Sequence, residues 1–131
     1  MKKQGILNQE LSNVVAGMGH MDMLVVGDAG LPIPPGVKRI DLALSPGVPG
    51  FLQAVQAISE ELKIQQLMVA RETFAVSPEI GAKLKAIFPG VDLVEISHAE
   101  LKEISAKARA VVRTGEFTPY ANVILVSGVV F

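Results

Sequence analysis

Apolar residues recur along this chain in two rhythms, one with a helical period and one in short unbroken runs. Ile6, Leu7, Leu11, Val14, Val15 and Met18 fall on one face of a helix over residues 6–18. Asn8 or a neighbour is its expected cap, and Gly17 and Gly19 lie near its end. Residues 23–27 are dense enough to be a buried strand. Gly30, Pro32, Pro34, Pro35 and Gly36 make 28–39 a loop. Residues 40–44 read as a short strand with alternating character, and 45–50 as a second cluster of breakers. Phe51, Leu52, Val55, Ile58 and Leu62 return to helical spacing, and 67–70 read as a strand.

Ser77 is placed to cap a helix with Pro78 at its first position. Ile80, Leu84, Ile87 and Phe88 form the buried face of that helix, and Pro89-Gly90 stop it. Residues 91–96 read as another strand. Ser97 and Glu100 have the spacing of a capping box, and Leu101, Ile104, Ala108, Val111 and Val112 continue the helix behind it. After the breaks at Gly115 and Pro119, residues 122–127 and 129–131 make an apolar C-terminal strand or pair of strands. Strands alternating with helices predict a single α/β domain over 1–131. Its expected form is a mostly parallel central sheet flanked by helices, a Rossmann-like three-layer arrangement.

Composition narrows the class. Half of the 131 residues are hydrophobic and 19% are charged. No apolar run approaches the roughly 18–20 residues of a membrane helix, so the apolar excess predicts surface buried between subunits. The start of the chain lacks the apolar core of a signal peptide. There is no cysteine, hence no disulfide frame and no thiolate chemistry. A net charge of −1 with scattered signs argues against a nucleic-acid or anionic membrane surface. The expectation is an intracellular soluble homo-oligomer.

In open α/β sheets, ligands bind beyond the carboxyl ends of the strands. Asp28, after the first strand, and His98, after the strand 91–96, belong there. His20 precedes the first strand, and a helix-to-strand connection normally arrives at the opposite edge. Either an irregular turn at 19–22 folds it back, or it serves a site completed by a neighbouring subunit. Tyr120 and Asn122 start the last strand. If that strand is parallel to the others, they lie at the far edge from Asp28 and His98, and one site can unite them only across a subunit boundary. Mixing inactive His98 and Tyr120 variants is then expected to recover activity.

Plain structural roles exist for each of these residues. His20 and His98 serve equally as surface or helix-start residues, Asp28 as a turn former, Asn122 as a strand start, and Arg71-Glu72 as an edge ion pair. Tyr120, the one tyrosine, alone joins an aromatic face to a polar tip, which suits a sugar. No phosphate loop, dinucleotide-binding glycine motif or serine nucleophile elbow occurs. His20, Asp22, Asp28 and His98 match no standard metal-binding spacing.

Taken together, Gly19-His20-Met21-Asp22, Gly27-Asp28-Ala29-Gly30-Leu31-Pro32-Ile33-Pro34, His98 and Arg113-Thr114-Gly115-Glu116-Phe117-Thr118-Pro119-Tyr120-Ala121-Asn122 resemble the D-ribose pyranase family, a relative of the L-fucose mutarotases. The resemblance spans essentially the whole chain. It implies a single cytoplasmic sugar-isomerase domain that interconverts the β-pyranose and β-furanose forms of D-ribose, without cofactor or metal. It also implies a decamer of two stacked pentameric rings, with sites between adjacent subunits. By the same resemblance His20 is the catalytic acid or base, and Asp28, His98, Tyr120 and Asn122 hold the sugar. A neutral imidazole suits proton exchange at a sugar, because its ordinary pKa of about 6.5 lets it give and take protons near neutrality. Two rival classes share these residues: a non-catalytic monosaccharide-binding accessory of sugar uptake, and a metal-dependent hydrolase using His20, Asp28 and His98.

Overall fold

The computed structural model describes all residues 1–131. In chain order the elements are α1 (Gln9–Gly17), β1 (Met23–Gly27), β2 (Lys38–Asp41), α2 (Phe51–Ser59), β3 (Ile64–Ala70), α3 (Arg71–Val76), α4 (Pro78–Ile87), β4 (Asp92–Ile96), α5 (His98–Ser105), β5 (Ala110–Arg113) and β6 (Val123–Ser127). The strands form one sheet in the order β2-β5-β1-β6-β3-β4. β1, β2 and β5 are mutually parallel, as are β3 and β4. β6 lies between β1 and β3 and is antiparallel to both.

Helices cover both faces, so the expected three-layer α/β domain is borne out. Leu11 and Val15 of α1, Phe51, Val55 and Ile58 of α2, and Ile80 and Leu84 of α4 pack on one face against Leu24, Val26, Ile40, Leu67, Val69, Val112, Val123 and Leu125. Each fully buried aliphatic or aromatic side chain there contributes about 1.5–3 kcal/mol relative to exposure. The other face is thinner. Leu101 of α5 and Leu31 of the first loop cover Val25, Ala70, Val111 and Ile124.

The caps explain several boundaries. Asn8 Oδ1 accepts the Leu11 N–H at 2.9 Å and starts α1. Ser97 and Glu100 make the reciprocal capping box of α5, at 3.0 and 2.9 Å. Ser77 differs from expectation. It occupies the cap position of α4 without a side-chain cap bond, and its hydroxyl turns to Pro119 instead.

Other boundaries move. The short strand expected at 40–44 is β2, two residues earlier, where Lys38–Asp41 pairs with β5 and only Ile40 is buried. The helix after Ser97 ends at Ser105 rather than running through Val112. Residues 110–113 are instead β5, an interior strand between β2 and β1. Ala110, Val111 and Val112 are buried on both faces, and such a run carries no alternation to mark it as strand. Arg71-Glu72 open α3 rather than forming an edge ion pair, and residues 129–131 join no strand.

Candidate active site

The antiparallel course of β6 decides where the polar groups meet. Because β6 runs against β1 and β3, its first residues lie at their carboxyl ends. Val26 pairs with Val123, which brings Asn122 beside Gly27 and Asp28. This overturns the expectation that Tyr120 and Asn122 stand at the far edge from Asp28 and His98. All four gather at one edge of a single chain.

The centre of that edge is a reciprocal pair. The Asp28 N–H donates to Asn122 Oδ1 at 2.9 Å, and Asn122 Nδ2 donates to Asp28 Oδ2 at 3.1 Å. The two bonds hold the carboxamide in one orientation. Asn122 is itself buried. The bond between the two neutral amide groups contributes roughly 0.5–1.5 kcal/mol, and the one to the carboxylate roughly 1.5–3 kcal/mol. Asp28 Oδ1 accepts the Gly30 N–H at 2.9 Å, which shapes the loop behind it. Gly27 allows the close approach: a Cβ there would lie 2.9 Å from Asn122 Oδ1 and 2.6 Å from Leu31 Cδ2. The loop after β5 pins the same turn. Thr114 Oγ1 donates to the Gly27 carbonyl oxygen at 2.8 Å, and the Ala29 N–H donates to the Glu116 carbonyl oxygen at 2.8 Å. An open cleft of about 430 Å³ runs beside Asp28 between Arg113, Glu116 and Phe117.

His98 and Tyr120 form the neighbouring wall. Their rings meet edge to face, with centroids 5.0 Å apart and planes at 85°. His98 Nδ1 is buried and has no hydrogen-bond partner within the chain. The His98 N–H donates to Glu72 Oε2 at 3.0 Å, so a carboxylate of α3 sits at the N-terminus of α5. Glu72's carboxyl is held below its ordinary value, first by its own backbone N–H and also by that of His98, against some desolvation.

His20 stands apart. The turn at 19–22 does not fold it back: the Met21 N–H donates to the Ser127 carbonyl oxygen and the Asp22 carbonyl accepts from Ser127, tying the turn to the carboxyl end of β6. His20 Nε2 lies 3.0 Å from Oε1 of Gln65, near the start of β3. The length of β1, about 16 Å at roughly 3.3 Å per residue, separates this edge from Asp28. His20, Asp22, Asp28 and His98 do not converge, and no three histidine or acidic side chains are grouped to hold a metal. A groove of about 720 Å³ between α2 and α4 contains none of the five candidate residues.

Sequence reasoning gave Thr73 no role, and gave Glu72 and Ser77 other ones, an edge ion pair and a helix cap; all three back this edge from α3 and its end. Ser77 had a visible signal, but it was one that equally marks a helix cap.

The pattern of the RbsD / FucU transport protein family matches residues 1–130. The chain belongs to this family. A D-ribose pyranase of Symbiobacterium thermophilum is 59% identical to it over 131 residues, the whole of both chains. The structure of Bacillus subtilis RbsD complexed with D-ribose superposes with a TM-score of 0.97 at 45% identity, again over the whole of both chains. A Streptococcus pneumoniae fucose mutarotase, solved in complex with L-fucose, shares the fold with a TM-score of 0.80 at 24% identity, covering 95% of each chain. The resemblance to the D-ribose pyranases is thus borne out. In this member of the RbsD / FucU family, the polar groups of Asp28, His98, Tyr120 and Asn122 and the exposed imidazole of His20 lie at opposite ends of one sheet.

Proposed function

We propose that this member of the RbsD / FucU family is a D-ribose pyranase, an isomerase that interconverts the β-pyranose and β-furanose forms of D-ribose in the cytoplasm after sugar uptake. The observation that carries the reading is the polar edge of Asp28, Asn122, His98 and Tyr120, which offers donors and acceptors around an aromatic wall. Its full-length identity to a D-ribose pyranase supports the choice of sugar.

The chemistry needs only proton movement. The anomeric hydroxyl loses a proton while the ring oxygen on C5 gains one, and the ring opens to the aldehyde. The hydroxyl on C4 then adds to C1, loses its proton, and the carbonyl oxygen takes one up. The balance is zero protons and zero electrons. An imidazole at His20 gives and takes these protons. Asp28, His98, Tyr120 and Asn122 hold the hydroxyls so that the reacting oxygens stay in reach of it.

Such a site needs two chains, because His20 and the sugar-holding edge are separated by a strand's length. Exposed apolar residues support the pairing. Met21, Val130 and Phe131 project near the His20 edge, and Val76 and Phe117 near the other. Two different patches meeting head to tail close into a ring. The proposed assembly is two stacked pentameric rings, with His20 of one subunit completing the edge of the next.

Saturation-transfer NMR on ribose tests the reading. His20→Ala is expected to slow catalysed ring exchange by roughly 10²–10⁴-fold while ribose still binds. Unchanged exchange removes His20 from the mechanism. If the unaltered protein binds ribose without accelerating exchange, it is a binding module rather than an enzyme.

A further inference from the structure

Tyr120 occupies a backbone conformation that tyrosine rarely adopts, with φ at +60°. In this left-handed region Cβ crowds the backbone, so surrounding contacts have to hold the residue there. The contacts come from α3 and its end. Thr73 is fully buried, and its hydroxyl donates to the Tyr120 carbonyl oxygen at 2.7 Å. Ser77, one turn further and also buried, donates to the Pro119 carbonyl oxygen at 2.7 Å. The Tyr120 carbonyl oxygen also accepts the Asn122 N–H at 2.9 Å. A continuous run of hydrogen bonds therefore leads from Thr73 through Tyr120 and Asn122 to Asp28.

Neither hydroxyl serves the helix it belongs to. A threonine inside a helix commonly bonds the carbonyl one turn back, yet the Thr73 hydroxyl crosses to another segment. Ser77 leaves its cap position unused. α3 has only six residues and no side-chain cap, and a helix this short does not form on its own account. Packing holds it: the Phe74 ring fills the space where Gly81 lacks a side chain.

We infer that Thr73 and Ser77 are positioning residues for the sugar-holding edge, setting the Tyr120 ring against His98 and the Asn122 carboxamide against Asp28. The inference rests on the reading of Tyr120 and Asn122 as sugar-holding residues. Thr73→Val keeps the side chain's shape and removes its hydroxyl, whereas Thr73→Ser keeps the hydroxyl. Ring-exchange rates across ribose concentrations, together with melting temperatures, read the outcome. Thr73→Val is expected to raise KM about tenfold with kcat within about twofold, the size of one lost buried hydrogen bond. Thr73→Ser is expected to keep KM within about twofold of the parent, and Ser77→Ala to raise it by a smaller factor than Thr73→Val.

A Thr73→Val protein that melts earlier with unchanged KM overturns the inference and leaves a purely structural role. If Thr73→Val does not fold, Ser77→Ala decides, and an unchanged KM in that folded variant overturns the inference. Tyr120→Ala and Asn122→Ala separate the two levels. If they raise KM while the α3 variants do not, positioning alone fails. If they leave KM unchanged, the reading of the edge fails and the inference with it.

Discussion

At the carboxyl edge of the sheet, Asp28, Asn122 and Tyr120 are tied into one run of hydrogen bonds, and His98 is held through its backbone by Glu72. At the amino edge, His20 is exposed, and its imidazole meets only the exposed Gln65 side chain. Under the proposed function the two edges do different work. A surface that recognises several hydroxyls needs donors and acceptors set in place before the ligand arrives. A proton-transfer group that acts in a neighbour's site must project beyond its own chain, and packing against the neighbour then orients it.

Subunit mixing puts the largest strain on this comparison. In a head-to-tail ring, mixing equal amounts of His20→Ala and Tyr120→Ala chains leaves about a quarter of the interfaces with both residues intact. Ring exchange is expected to recover to about that fraction after refolding together. His98→Ala mixed with Tyr120→Ala is expected to recover none, because both residues belong to the same edge of one chain. Recovery in the second pair, or none in the first, breaks the division between the edges.

A smaller effect is expected within the carboxyl edge. Gly27→Ala places a methyl group against Leu31 and Asn122 Oδ1. It is expected to lower stability by about 1–3 kcal/mol, the usual cost of overpacking, and to weaken ribose binding. Urea midpoints and a ribose titration check both. Lost stability with unaltered binding would show that the Asp28–Asn122 pair tolerates displacement.

The smallest effect belongs to the amino edge. The Gly19 N–H, followed by Arg109, holds the Asp22 carboxyl below its ordinary value of 3.8. A lowered folded value adds stability that is in full force above pH 3.8 and is lost as the pH falls through the folded value. Asp22→Asn is therefore expected to flatten the loss of stability below pH 3.8, slightly, because the Arg109 partner is largely exposed. Urea midpoints on either side of that pH measure it. A change in ring exchange at neutral pH in this variant would show that the turn orients His20 within the chain.

Much of the sheet could be read along the chain. Residues 23–27 announced β1 by their density, Ser97 and Glu100 announced the start of α5, and Asp28 and His98 followed from the rule for the carboxyl ends of strands. β5 could not be read, because an interior strand buried on both faces has no alternation and followed an amphipathic helix without a strong break. α3 was equally hidden, since six residues with mixed polarity carry no period. The contacts that Thr73 and Ser77 make with the site went unseen with it, because a hydroxyl that bonds a backbone 47 or 42 residues away leaves no local mark.

His20, Asp28, His98, Tyr120 and Asn122 stood out from residue type and local pattern, and those properties are carried by the chain itself. Their grouping was not. It turned on the direction of β6, since an apolar strand reads identically whether its neighbours run with it or against it. Direction is settled by pairing between distant segments: Val26 against Val123 brings Asn122 to Asp28 and leaves His20 a strand's length away.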